Sequence, residues 1–370
     1  MPENLFTLIS TLILLVYPII LGLYFMNKFE LSSTQIIGFT FLLIFSLSFI
    51  STKLIPGGTF DLSVYYRVYD RYQITHELGN EFSNNVILFK FIMLFLCNLP
   101  NKEFIQFTFV SVTYLLIFLC FFCIYRGFLK KDNPKTLILS LLMQETLMSF
   151  AYIYSGSRNQ VAFGLIALSL ILYYLYGNKK IYFSSLFLAV SSFLIHDSTI
   201  MIIGLFLCSL IPFLKKHYYF IIGWGLLIPI IIFLFQNIEF GVIASLVDKL
   251  ILYVNNAMNT LDLRIAFTNT IVTIVLLFVL KINPINNKKI NNFLSIVLSF
   301  TLGAIIIPEI QRRMLYFISY FSPFFITSII NIENKKIRGA LLIVCVVFII
   351  GLALYHFINL KANGIAFNII

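Results

Sequence analysis

Arg158 and His196 are the residues whose types and separation most invite chemistry. Arg158 follows Tyr154-Ser155-Gly156-Ser157 and opens an apolar run that ends at Tyr176. A basic turn, Gly177-Asn178-Lys179-Lys180, leads to a second apolar run that closes on Leu194-Ile195-His196-Asp197-Ser198. Each run is about 17–20 residues, enough to cross a hydrocarbon core of roughly 30 Å. Arg158 and His196 are then one crossing and its return apart. They finish on the same side of a membrane, with Lys179 and Lys180 on the other. A guanidinium beside an imidazole at a membrane surface makes an anion site with a proton acceptor next to it. The plainer alternative is that Arg158 snorkels to headgroups and His196 only ends a helix.

Positioning such a pair requires a membrane scaffold, and the composition supplies one. Of 370 residues, 60% are hydrophobic and 11% charged, against about half and a quarter in soluble domains. The fold class expected is all-α: a polytopic transmembrane bundle forming a single domain over 1–370, with an outer loop region at 52–103. The net charge of +11 sits in short loops and sets orientation, so it is not a nucleic-acid signal. Cys97, Cys120, Cys123, Cys208 and Cys345 all lie in apolar runs. The CxxC spacing of Cys120 and Cys123 is therefore helical recurrence and not a redox motif.

The apolar runs in order are Leu5 to Met26, Gln35 to Ser51, Phe104 to Ile124, Thr136 to Tyr154, Val161 to Tyr176, Ile181 to Ile195, Thr199 to Leu214, Tyr218 to Phe235, Arg264 to Leu280, Phe293 to Ile307, Met314 to Ile330 and Gly339 to Phe357. That is about twelve crossings by the hydropathy rule. Between the second and third lie a polar stretch, Thr52 to Asn85, and a weak run, Val86 to Leu99, of about 14 residues. The latter suits an interfacial or re-entrant helix.

Basic loops alternate along the second half: Arg126 to Lys135, Lys179-Lys180, Lys215-Lys216, Lys281 to Lys289, and Lys335 to Arg338. The positive-inside rule makes these cytoplasmic. Thr52 to Lys102, Ser155 to Gln160, His196 to Ser198, Gln236 to Asp262 and Pro308 to Arg313 then face outward. Their cations include Arg67, Arg71, Arg158, Arg312 and Arg313, whereas the cytoplasmic loops are mostly lysine. Orientation needs only positive charge. Arginine adds a planar fork that grips phosphate oxygens in pairs, so the outer face looks built for an oxyanion such as a diphosphate.

Five stretches carry a resemblance to a known family. Gly58-Thr59-Phe60-Asp61 with Tyr65 and Tyr69 is similar to the "G-x-D-x-x-x-Y-x-x-x-Y" opening of EpsG-type exopolysaccharide proteins. Glu77 to Phe82 is similar to that family's "E-x-G-F" segment. Arg158-Asn159-Gln160-Val161-Ala162 resembles its "R-Q-x-x-A" helix start. Phe193-Leu194-Ile195-His196-Asp197-Ser198 resembles its "F-H-x-S" ending, with two residues inserted. Arg312-Arg313-Met314-Leu315-Tyr316-Phe317 resembles its "R-x-x-Y-F" helix.

The resemblance implies a Wzy-like polysaccharide polymerase at the outer face of the bacterial inner membrane. Its donor and acceptor would be undecaprenyl-diphosphate-linked oligosaccharides, with membrane lipid around it and a chain-length regulator as a further partner. In that chemistry Arg158, Arg312 and Arg313 would bind the departing diphosphate. His196, with Asp61 second, would take the acceptor proton. Arg67, Tyr65, Tyr69, Gln160 and Tyr316 would bind substrate. The outer-loop rings of Tyr65, Tyr66, Tyr69 and Tyr72 suit either stacking on sugar rings or an interfacial aromatic belt. No metal and no cofactor is expected. Other classes stay open: a lipid-linked oligosaccharide flippase or transporter, an O-antigen ligase with the same donor chemistry, and a glycan acyltransferase. Among lesser features, Asp197 or Ser198 is expected to cap the following helix, Glu309 to hold Arg312, and Trp224 to serve packing.

Overall fold

The computed structural model describes residues 41–42, 44–49, 51–52, 54–55, 61–79, 82, 86–129, 143–144, 153, 157–235, 251, 263–347 and 366–367. The expected runs at Leu5 to Met26 and most of Thr136 to Tyr154 lie outside them. So do Glu145, an expected intramembrane carboxylate of that second run, Gly57 to Phe60, most of the Gln236–Asp262 loop and the end of the last run. The regular structure among the described residues is helical apart from one pair of two-residue strands, β1 (Leu54–Ile55) antiparallel to β2 (Ala366–Phe367). The chain divides into two compact units, Met1–His196 with Gly339–Ile370, and Asp197–Arg338.

The first unit begins with a correction. The polar stretch after Thr52, expected as loop, holds the helix α1 (Asp61–Thr75). Leu62, Tyr65, Val68 and Tyr69 are buried and recur at helical spacing among polar residues, so the apolar stripe disappears in an average over the segment. The helix stops where the Arg71 guanidinium donates to the Leu78 carbonyl. It wraps over Gly79, whose φ of +69° puts it in the left-handed region. A Cβ at Gly79 would strike that guanidinium, so both the backbone and the space demand glycine. The next helix, α2 (Ile87–Cys97), has 11 residues and is roughly 16 Å long, too short to cross. It turns Phe89, Met93 and Leu96 inward and leaves Ile87, Phe91 and Phe95 outward.

The long helices follow: α3 (Glu103–Ile124), α4 (Ser157–Tyr176) and α5 (Lys179–Ile195). Helix α4 packs between α3 and α5, and α2 lies against α1, α3 and α5. Asn178 caps α5 by accepting from the Ile181 N–H at 2.9 Å. At the same end the Tyr176 hydroxyl donates to the Cys123 carbonyl at 2.8 Å. Helix α5 buries Ser185 and Ser192 and exposes Phe183, Leu186, Phe187 and Val190. That is inverted amphipathicity, which fits a helix facing hydrocarbon.

The second unit is built round α10. Its helices are α6 (Thr199–Cys208), α7 (Pro212–Lys216), α8 (Phe220–Phe235), α9 (Leu263–Ile282), α10 (Lys288–Gly303), α11 (Pro308–Ser319) and α12 (Ser322–Ile330). A further helix covers 335–347, and its residues from Gly339 on belong to the first unit. Helix α10 is buried all round from Phe293 to Thr301, as a helix with no polar face must be. Helix α8 crosses it so closely that a Cβ on Gly225 would lie 2.6 Å from the Gly303 carbonyl carbon.

Two expected crossings are broken here. Thr199 to Leu214 divides into the 10-residue α6 and the 5-residue α7, because Pro212 lacks the N–H a continuing helix needs. Met314 to Ile330 is two helices bent by 72°. The second restarts with Pro323 in its first turn, where a missing N–H costs nothing. Trp224, expected to pack, is half exposed, and Ser198 makes no side-chain cap to α6. Among the described residues, Glu103–Phe128, Arg158–Tyr176 and Lys288–Ile306 are long and apolar enough to cross a membrane. The bent pair makes a fourth if it is one span.

Candidate functional site

Two serines set the register of the α4–α5 hairpin. Ser169 Oγ donates to the Ser185 carbonyl and Ser185 Oγ to the Ser169 carbonyl, each at 2.8 Å, with the two oxygens 3.0 Å apart. Eleven residues back from Ser169 along α4 is Arg158, and eleven on from Ser185 along α5 is His196. Antiparallel helices rise about 1.5 Å per residue alike. Arg158 and His196 therefore stand level, at the end opposite Lys179 and Lys180. Arg158 is the second residue of α4, where the N-terminal dipole adds to its field. His196 ends α5, its backbone N–H donating to the Ser192 carbonyl at 3.0 Å, and is 3% exposed.

Helix α1 brings Asp61 and Tyr65 to the same place. The Arg158 guanidinium lies over the Phe89 ring, 4.9 Å from its centre, and Tyr65 packs on the same ring at 5.3 Å. Phe82 and Phe109 complete the nest around Tyr65, at 6.0 and 5.9 Å. Burial pushes the Tyr65 phenol well above its ordinary range; nearby Arg158 opposes this and Asp61 adds to it. Tyr65 is thus a neutral phenol with a cation and a carboxylate in its surroundings.

This end of the unit carries buried polar atoms without hydrogen-bond partners among the described residues: Tyr65 Oη, Arg158 Nε, Asn159 Oδ1 and Ser192 Oγ. Each such group costs on the order of 1–3 kcal/mol. Groups left so call for a partner such as a bridging water or a ligand. Gln160, one position on, is also buried.

The remaining aromatic and basic residues of α1 are arranged differently. Tyr69 is buried and its hydroxyl donates to the Leu99 carbonyl at 2.7 Å. The Tyr65 and Tyr69 rings, expected to stack on sugars, are both buried. Arg67 is exposed and stands about 200° round the helix from Tyr65, so the fold does not bring it to Arg158.

In the second unit, α11 gathers the other arginines. The Glu309 carboxylate takes both: Arg313 Nε donates to Oε1 at 2.8 Å, and Arg312 pairs with Oε2. The expected Glu309–Arg312 pair is present, and Arg313 joins it. Arg312 also lies over the Tyr316 ring at 6.0 Å. Gln311 ties this turn to the core by donating to the Thr301 carbonyl at 3.1 Å. Two guanidiniums on one carboxylate leave a net positive fork at the start of a helix, suited to an anion.

Phe89 and Ser192 carry no signal in the sequence, since each lies in an apolar run and only packing shows what it meets. Among the described residues no three His, Cys, Asp or Glu side chains gather as a metal would require.

No curated protein and no solved structure matches the chain. The EpsG family model matches residues 37–369, and the chain belongs to that Wzy-type polymerase-like family. It is a membrane protein of polysaccharide biosynthesis.

Proposed function

We propose that this EpsG-family chain is a polysaccharide polymerase that joins undecaprenyl-diphosphate-linked repeat units. It works at the outer face of the bacterial inner membrane, within a bundle of about twelve crossings. The observation that carries the reading is the level placement of Arg158 and His196 at one end of the α4–α5 hairpin. Chain transfer needs an anion holder and a proton acceptor at the same depth, and this end has both. Asp61 and Tyr65 beside Arg158 add a second base, a carboxylate, and a neutral phenol.

The reaction balances as follows. The acceptor hydroxyl oxygen attacks the anomeric carbon of the donor sugar, and its proton passes to the His196 imidazole. The bond from that carbon to the diphosphate oxygen breaks, and its electron pair leaves with the lipid diphosphate. Attack opposite the leaving group inverts the anomeric centre. Arg158 stabilises the departing charge.

A transporter or flippase gains one point from the bent α11–α12 pair, since broken helices mark transport sites. The break at Tyr320-Phe321 carries no charged residue, however, and the ionised groups sit at the start of α11. The polymerase therefore accounts for more. Arg158→Ala and His196→Ala should each abolish long polymer in cells while single lipid-linked units accumulate on the outer leaflet. Accumulation on the inner leaflet would instead make the chain a flippase, and full-length polymer in both variants would remove the site.

A further inference from the structure

The hydroxyl of Tyr65 is not explained by the packing of its ring. The ring is 2% exposed among Phe82, Phe89 and Phe109, and a phenylalanine would fill that nest equally. Its neighbours on α1 use their hydroxyls: Tyr66 donates to Gln106 Oε1 at 2.6 Å and Tyr69 to the Leu99 carbonyl at 2.7 Å. Tyr65 Oη has no such partner among the described residues, and neither does Arg158 Nε. The two groups share a platform, because the guanidinium and the phenol ring both pack on Phe89. Asp61 is one turn earlier on α1 and does not accept from the Tyr65 hydroxyl.

Two buried donors on one aromatic platform, one of them cationic, call for a single anionic acceptor. We propose that Tyr65 Oη and Arg158 Nε donate together to one oxygen of a bound phosphate or diphosphate, so that Tyr65 serves the site through its hydroxyl. This rests on the anion site of the proposed function and gives the Tyr65 hydroxyl a specific role in it. The phenol gives such a site a donor whose strength does not depend on a second positive charge. Arg158 supplies the charge and Tyr65 the direction.

The test uses the full chain in zwitterionic nanodiscs. Binding is measured for two probes, inorganic pyrophosphate and undecaprenyl diphosphate added to the bilayer. Tyr65→Phe keeps the ring and should leave the unfolding temperature close to wild type, while weakening binding about tenfold, the size of one lost hydrogen bond to an anion. Weakening with both probes assigns the contact to phosphate itself. Weakening with undecaprenyl diphosphate alone assigns it to a lipid-borne phosphate. Either supports the proposal. Wild-type binding by Tyr65→Phe, with binding lost in Arg158→Ala, overturns the hydroxyl's role and leaves the anion site standing. Wild-type binding by Arg158→Ala overturns both. Should Tyr65→Phe fold poorly, 3-fluorotyrosine at position 65 keeps ring and hydroxyl and should bind as wild type; loss of binding there counts against the proposal.

Discussion

The Glu309 carboxylate holds Arg313 Nε at 2.8 Å through one oxygen and Arg312 through the other. One acidic side chain thus fixes the directions of two guanidiniums on the first two turns of α11. The three groups keep between 17% and 31% of their side-chain surface, so solvent discounts the pair's contribution to stability to about 1 kcal/mol. Glu309→Gln should therefore cost little in unfolding temperature and much more in polymer yield. A double-mutant cycle of Glu309→Gln with Arg313→Lys, read on polymer length, should show strong non-additivity. Additive effects would mean that the carboxylate does not position the arginine.

The serine pair makes a geometric prediction. If Ser169 and Ser185 set the register, Ala162 and Ser192 face each other across the hairpin, and both are fully buried. Cysteines at 162 and 192, with the native cysteines replaced, should cross-link under mild oxidant. Cysteines at 162 and 188, one turn out of register, should not. The reverse result would undo the level placement of Arg158 and His196.

Close approach of α8 and α10 predicts which glycines resist change. Gly225→Ala puts a methyl 2.6 Å from the Gly303 carbonyl carbon, and overpacking of this kind costs about 1–3 kcal/mol. Gly223→Ala meets nothing within 4 Å and should be neutral or slightly stabilising, since alanine is the better helix former. Thermal unfolding of the two variants in the same detergent separates the cases; equal midpoints would contradict the crossing.

Alkaline pH should read the buried phenol. Burial raises the Tyr65 phenol above its ordinary value of 10.0, with Arg158 opposing and Asp61 adding. The unfolded chain then loses this proton at lower pH than the folded chain. The stabilisation is fully present below about pH 10 and is lost as pH rises from there. Unfolding midpoints between pH 8 and pH 11 should fall more steeply in wild type than in Tyr65→Phe. Parallel slopes would place Tyr65 in solvent.

Much of the site was legible in the order of residue types. Two membrane-length runs joined by a Gly-Asn-Lys-Lys turn can only return Arg158 and His196 to one side. The three-to-four-residue spacing of Glu309, Arg312 and Arg313 can only place them on one helix face. Hydrophobicity and helical period are local quantities, and a chain states them directly.

Contact between distant segments is not local. The sequence did not tell that α1 would fold inside a polar stretch, carrying Tyr65 into an aromatic nest and leaving Arg67 outside. Nor did it tell that Phe89 would lie beneath Arg158. Those outcomes depend on which side chains meet once α1, α2, α3 and α4 pack, and on which hydroxyls find carbonyls when they do. Breaks at Pro212 and before Pro323 were also decided in three dimensions, because a proline bends a membrane helix or ends it according to what its neighbours can satisfy. Composition and periodicity specified a helical membrane protein with a cationic end. Tertiary packing chose which phenol and which guanidinium would stand there without hydrogen-bond partners among the described residues.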